Sequence, residues 1–200
     1  MDKILRSKHP YEAYIPPNAS KLIIGTIPPY RFCVPGGKLQ HGDVDFYYGS
    51  KDNSFWKLIA EVTGEKLHYE NTEEAVKERK SLLDRMHIGI TDIVESCIHT
   101  DQKSDDASLS EIRQKDLAQL LSDHAEIDTL IYTSQFVAGL VGKCADKTYH
   151  YWLKPSREGC IYIGGKLYRV IVLYSPSRNA LRSVSEAERL EQYQSVFGKK

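Results

Sequence analysis

KLIIGTIPP, residues 21–29, decides how the chain is read: a short apolar run ends at Gly25-Thr26 and is followed at once by Pro28-Pro29. A central strand cannot continue through prolines, which lack the N–H that a ladder requires, so the run is predicted to be a buried strand ending at Gly25-Thr26. Two other stretches share this form. TLIYTSQ (129–135) runs from apolar into polar residues, and IGITDIVESC (88–97) reads as one strand that loses apolarity around Asp92. CIYIGGKLYRVIVLY (160–174) reads as a hairpin turning at Gly164-Gly165, with its second arm entering Ser175-Pro176-Ser177.

Helical patterns fill the intervals. Residues 54–63 put Phe55, Leu58, Ile59 and Val62 on one face, with Gly64 as the stop and Asp52, Asn53 or Ser54 as the cap. NTEEAVKERKSLLDRMH (71–87) opens with a cap and an acidic first turn. After the polar loop HTDQKSDD (99–106), SLSEIRQKDLAQLLSD (108–123) has capping-box spacing at Ser108 and Glu111 and is predicted to be a helix. FVAGLVGKC (136–144) is a short helix, and Ser185 with Glu188 opens a last one. Strands alternating with helices imply βαβ units: an α/β fold of three layers, α/β/α, around a short, mostly parallel sheet, with residues 1–200 as one domain. Ligands of such sheets bind beyond the carboxyl ends of the strands, where Thr26, Asp92, Thr133-Ser134-Gln135 and Ser175-Pro176-Ser177 stand.

Bulk properties narrow the function. Two hundred residues are enough to bury roughly 70% of the surface of the unfolded chain. Basic and acidic residues balance at 27 each, which argues against indiscriminate nucleic-acid binding but leaves room for a local basic face. No stretch approaches the roughly 20 apolar residues of a membrane span. The first residues, MDKILRSKHPYEAY, carry no secretory pattern, so a reducing, cytoplasmic setting is expected, at the nucleoid if the protein is bacterial. Cys33, Cys97, Cys144 and Cys160 lie far apart with no CxxC pair and read as structural or incidental thiols. GTIPP lacks both GxGxxG and a Walker lysine. Neither a metal nor a cofactor is expected.

YYGSKDNSFW (47–56) holds two readings: an aromatic core anchor with a helix cap, or a pocket that stacks a flat ring and hydrogen-bonds its edge. The spacing of Phe55 and Trp56 favours core packing for those two, whereas Asn53 suits capping and ligand recognition equally.

Taken together, GTIPP, DFYYGSKDNSFWKLI, LLDRMHIGITDIVESC and LYSPSRNALRS resemble, in order over residues 21 to about 195, the landmarks of the uracil-DNA glycosylase superfamily, closest to its mismatch-specific and hypoxanthine-acting branches. The resemblance implies hydrolysis of the bond between a deaminated or mismatched base, such as uracil or hypoxanthine, and deoxyribose during base-excision repair. The partner would be DNA containing a damaged base, and the protein would be a metal-independent, monofunctional monomer. It assigns Asn53 and Thr26 to catalysis. Gly25, Ile27, Phe46, Tyr47, Tyr48 and Asp92 would surround the base, one of the three aromatics stacking on it. Ser175, Ser177, Arg178, Asn179 and Leu181 would hold the DNA, with the last three filling the space vacated by the base. A basic patch from Lys154, Arg157, Arg178 and Arg182 would serve the phosphates.

The chain departs from the family in four respects. Thr26-Ile27 and Ser175 stand where the mismatch-specific branch has asparagines, and Tyr174 where proline is usual. The last motif has no histidine, unlike that of the branch that removes uracil vigorously. The departures favour a rival reading, a non-catalytic binder of bases or nucleic acid on the same scaffold. The balanced charge suits another, an enzyme of free nucleosides.

Overall fold

The structure, a computed structural model, describes residues 6–100, 105–146, 158–178 and 184–198. Its elements run β1 (Ser7–Lys8), β2 (Lys21–Gly25), α1 (Tyr30–Cys33), α2 (Phe55–Thr63), α3 (Glu73–Met86), β3 (Ile88–Asp92), β4 (Val94–His99), β5 (Leu109–Gln114), α4 (Leu117–Asp123), β6 (Thr129–Tyr132), α5 (Gln135–Val141), β7 (Glu158–Ile163), β8 (Lys166–Val172) and α6 (Glu186–Phe197).

Five strands form the central sheet in the order β3-β2-β6-β8-β7. All pair in parallel except β7, the antiparallel arm of the hairpin. The alternation of side chains along the strands loads both faces. Leu22 and Ile24 of β2 join Leu130, Tyr132, Val170 and Val172 on one side, under α4 and α5. Ile23 joins Ile90 and Ile131 on the other, under α2, α3 and α6. The architecture is therefore the expected α/β/α sandwich with a mostly parallel sheet.

Local chemistry fixes the helix ends. Gly64 stops α2 in the left-handed region at φ 71°, and the Thr72 side chain caps α3 by accepting the Ala75 N–H. Ser134 caps α5 in the same way, and both bonds of the Ser185–Glu188 capping box are present. Gly164 and Gly165 turn the hairpin at φ 58° and 77°, as a two-residue turn of the primed type requires.

Two predicted elements differ. Residues 88–97 are not one strand: β3 ends at Asp92, and β4 leaves for a separate antiparallel sheet of order β1-β4-β5. At the break, the N–H groups of Ile93 and Val94 donate to the carbonyls of Gly25 and Thr26, so the backbone stays satisfied as the chain changes sheet. Nor is 108–123 one helix. The Ser108 hydroxyl donates to the Asp105 carbonyl instead of capping, and Glu111 has φ 47°, outside the helical region. Its first half is β5, paired with β4, and only Leu117–Asp123 is helical, capped by Asp116. Pairing with a neighbouring strand outweighs a weak local preference. Among the described residues no helix is long and apolar enough to cross a membrane.

Candidate active site

The carboxyl ends of β2, β3, β6 and β8 open into one cavity of about 430 Å3. Thr26 and Ile27 follow β2, Asp92 closes β3, Thr133 and Ser134 follow β6, and Ser175 to Ser177 follow β8. Residues 48–50 with Asp52 and Asn53 supply another part of the wall. The four strand ends singled out in the sequence thus meet the 47–56 stretch at one place, although Gln135 is not on the wall.

Two sets of bonds hold this wall together. Asp43, which has no exposed surface, accepts two bonds from Arg31 at 2.7 Å and the N–H groups of Gln40 and Lys51 at 2.7 and 2.9 Å. Burial alone would raise the Asp43 carboxyl, but these bonds prevail and hold it below its ordinary value. Arg31 also donates to the Ser50 hydroxyl, tying the 48–53 turn to α1. On the far side, Asn53 and Ser177 pair as an antiparallel bridge, and the Ser54 N–H donates to the Pro176 carbonyl at 2.9 Å. The Ser-Pro-Ser turn is gripped from behind by α6. Arg189, 2% exposed, donates to the carbonyls of Ser175 and Ser177 at 3.1 and 3.4 Å, and Gln192 bonds Val172 and Tyr174.

Asn53 both anchors a helix and lines the cavity. Its Oδ1 accepts the Phe55 N–H at 2.8 Å, anchoring the entry to α2, which leaves the NH2 group as its remaining polar function on the cavity wall. The three aromatics separate. Tyr47 is fully buried, its hydroxyl donating to the carbonyl of Glu12 at 3.0 Å, so it is a core residue and does not line the cavity. Phe46 lines the cavity from within the core. Tyr48 lines it as well, at φ 54°, a region a tyrosine rarely occupies. Its ring stacks on Phe55 at 4.3 Å and its hydroxyl bonds Thr133 Oγ1 at 2.9 Å. Such strain, held by surrounding contacts, is common at binding sites. Phe55 and Trp56 are core, at 0% and 2% exposure.

Gly25 does not line the cavity; it stands behind it. A Cβ there would run into the Tyr48 hydroxyl and Asp92 Oδ1, so the absence of a side chain is what lets those groups approach the strand end. Asp92 is buried, and its Oδ2 lies 2.8 Å from Nε2 of His9, which is buried too. His9 Nδ1 in turn lies 2.9 Å from the Tyr11 carbonyl, 3.1 Å from the Tyr11 N–H and 3.4 Å from the Lys115 ammonium, while Nε2–H donates to the Asp92 carboxylate. Asp105 and Asp106 reach the same cavity. Burial pushes the Asp106 carboxyl above its ordinary value, a hydrogen bond from Thr26 opposes that shift, and Asp105 and Asp92 add to it. With Asp52, four carboxyl groups line the cavity against one cation, Arg31, among the described residues.

Arg178 is exposed and is not on the cavity wall; Asn179, Leu181 and Arg182 lie outside the described residues, as do Lys154 and Arg157. The sequence reading missed His9, Asp106, Arg189 and Phe136, the last another aromatic on the wall. Asp105-Asp106 stood in a polar loop with nothing to place it, and His9 is 83 residues from Asp92. Only Arg189 left a trace: a charge at i+4 from a cap that falls on the apolar face with Tyr193. Among the described residues, no group of three or more His, Cys, Asp or Glu is placed to hold a metal.

Neither a protein-family model nor a curated protein matches the chain. Among solved structures it is similar to the solution NMR structure of a protein from Methanosarcina acetivorans described as a putative uracil DNA glycosylase, at 19% identity and a TM-score of 0.59, over 96% of this chain and 97% of that one. The two share a fold.

Proposed function

We propose that the protein is a DNA glycosylase of the uracil-DNA glycosylase superfamily that hydrolyses the N-glycosidic bond of a deaminated base, uracil or hypoxanthine in class, in a single domain that needs no metal. The observation that supports this most is the joining of Asn53 to the Ser-Pro-Ser turn across a cavity that also receives Asp92 and Thr26. Its volume falls within the ~300–1,000 Å3 of small-ligand sites. The described name of the structural neighbour points the same way.

In this reading a nucleotide leaves the stack, at a cost of a few kcal/mol that is least for a mispaired base, and its ring enters between Phe46, Tyr48 and Phe136. The Asn53 NH2 group donates to a ring oxygen, and Asp92, oriented by His9, accepts from a ring N–H. As the C1′–N bond breaks, the sugar becomes cationic, and the surrounding carboxyl groups favour that charge. Water forms the new bond to C1′; Asp106, a stronger base than an ordinary aspartate, takes one of its protons, which ends on the departing base. Ser175 to Ser177 hold the backbone on either side of the lesion.

The carboxyl-rich lining supports a second reading, an enzyme of free nucleosides, because a polyanion gains nothing from approaching it. Abasic-site formation on labelled oligonucleotides carrying uracil, hypoxanthine, xanthine or mismatched thymine, run beside free deoxyuridine and deoxyinosine, separates the two. Cleavage of an oligonucleotide substrate is the expected result. Turnover of nucleosides alone would overturn the glycosylase reading, and binding of DNA without cleavage would identify a non-catalytic binder.

A further inference from the structure

Behind the 48–53 turn lies a second cavity of about 110 Å3, sharing Tyr48, Gly49, Ser50 and Asn53 with the first. Its inner wall is Arg79 of α3, a residue with no exposed surface. One nitrogen of this guanidinium, Nη1, donates to the carbonyls of His68 and Ala75 at 2.9 and 2.7 Å. Nε and Nη2 are buried and have no hydrogen-bond partner among the described residues. Among the described residues no carboxylate forms an ion pair with it. Its sequence neighbour Glu78 instead accepts from the backbone N–H of His68 and bonds its ring, at 2.8 and 2.6 Å. Trp56 and Tyr69 cover the guanidinium, with its central carbon 5.5 and 5.2 Å from their ring centres. Stacking of that kind engages the faces of the group. The N–H donors lie in its plane, so the rings do not satisfy them.

Three N–H donors on a charge removed from water are costly to leave unmet. The remaining lining shows what would meet them: Lys51 and Lys57 line the same cavity, Ser50 and Asn53 add polar groups, and among the described residues no carboxylate is present. This is the reverse of the first cavity. We propose that the second cavity is a phosphate site, in which the planar fork of Arg79 takes two oxygens of the anion and the two lysines complete its neutralisation. The space suits a phosphate group and is too small for a nucleobase with its sugar. Because the two cavities share the 48–53 turn, a phosphate held here sits directly behind the wall that carries Asn53. The group is either a backbone phosphodiester next to the extruded nucleotide, in which case the inference rests on the glycosylase reading, or inorganic phosphate, in which case it stands alone.

The test uses the full chain and inorganic phosphate at constant ionic strength, with binding followed by the thermal midpoint and by phosphorus NMR linewidth. The wild type should show saturable binding. The Lys51→Ala/Lys57→Ala double variant, altered only at exposed lysines, should bind about tenfold more weakly or worse, and Arg79→Lys should also lose affinity. A wild-type response no larger than that to chloride, or a double variant as tight as wild type, overturns the proposal. A second arm measures affinity for an abasic-analogue duplex against salt. Loss of affinity in the lysine variant with a shallower salt slope identifies a backbone phosphate, and unchanged duplex binding with lost phosphate binding identifies the free ion. Phosphate binding with no cleavage of any base would end the glycosylase reading and leave the site standing.

Discussion

The backbone of Asn53 pairs with that of Ser177 in an antiparallel bridge, so two turns far apart in sequence make one wall of the main cavity. Anything that displaces either turn removes the other's support, which makes the wall sensitive to substitutions well away from the cavity.

Asn53→Asp keeps an oxygen for the Phe55 N–H but loses the NH2 group. The variant should melt within about 1 kcal/mol of wild type and lose turnover by about 10²–10³. Full turnover would mean that Asn53 is a cap and nothing more.

His9 meets the cavity only through Asp92 and is a positioning residue. His9→Ala should lower kcat and change the shape of the pH–rate profile, whereas Asp92→Asn should chiefly alter the choice of base. An unchanged profile in a variant that has merely lost stability would leave His9 a purely structural role.

Gly25→Ala places a methyl group against the Tyr48 hydroxyl and the Asp92 carboxyl. A destabilisation of about 1–3 kcal/mol is expected from the overpacking, with activity falling further than stability explains. A thermal midpoint equal to that of wild type would contradict the tight approach.

Arg189→Met removes the guanidinium that donates to the Ser175 and Ser177 carbonyls. Stability should drop by about 1–3 kcal/mol and KM for an oligonucleotide should rise more than kcat falls. An unaltered KM would dissociate the turn from substrate binding.

The Asp43 carboxyl is held below its ordinary value of 3.8, so its contribution to stability is complete above that pH and disappears as the pH falls toward the lowered value. Acid unfolding of the wild type should steepen below pH ~3.8, and Asp43→Asn, less stable at neutral pH, should lose part of that limb. Parallel acid limbs in the two proteins would refute the assignment.

How legible each part was depended on the range of the interactions behind it. β2, β6, the hairpin and the caps of α2, α3 and α6 follow from residues within a few positions of one another. The split at Ile93 and the strand at 109–114 depend on partners that local sequence does not name, Gly25 and Thr26 in one case and β4 in the other. That Asn53, Thr26, Asp92 and the serines share the cavity wall was legible because they end apolar runs or lie in a recognisable motif. Asp106 and His9 were not, because their position comes from the fold alone. Tyr47 was grouped with Phe46 and Tyr48 by adjacency, yet its backbone turns it inward to the carbonyls near residue 12.

The grip of α6 on the Ser-Pro-Ser turn sets an order of events. The sheet can assemble from residues up to 172, but the cleft stays unfinished until the final helix docks, so competence should arrive abruptly and late as the chain matures. A protease nick between Ser185 and Phe197 would then act as an off-switch, freeing the turn and uncovering the face of the core that Tyr193 and Phe197 fill.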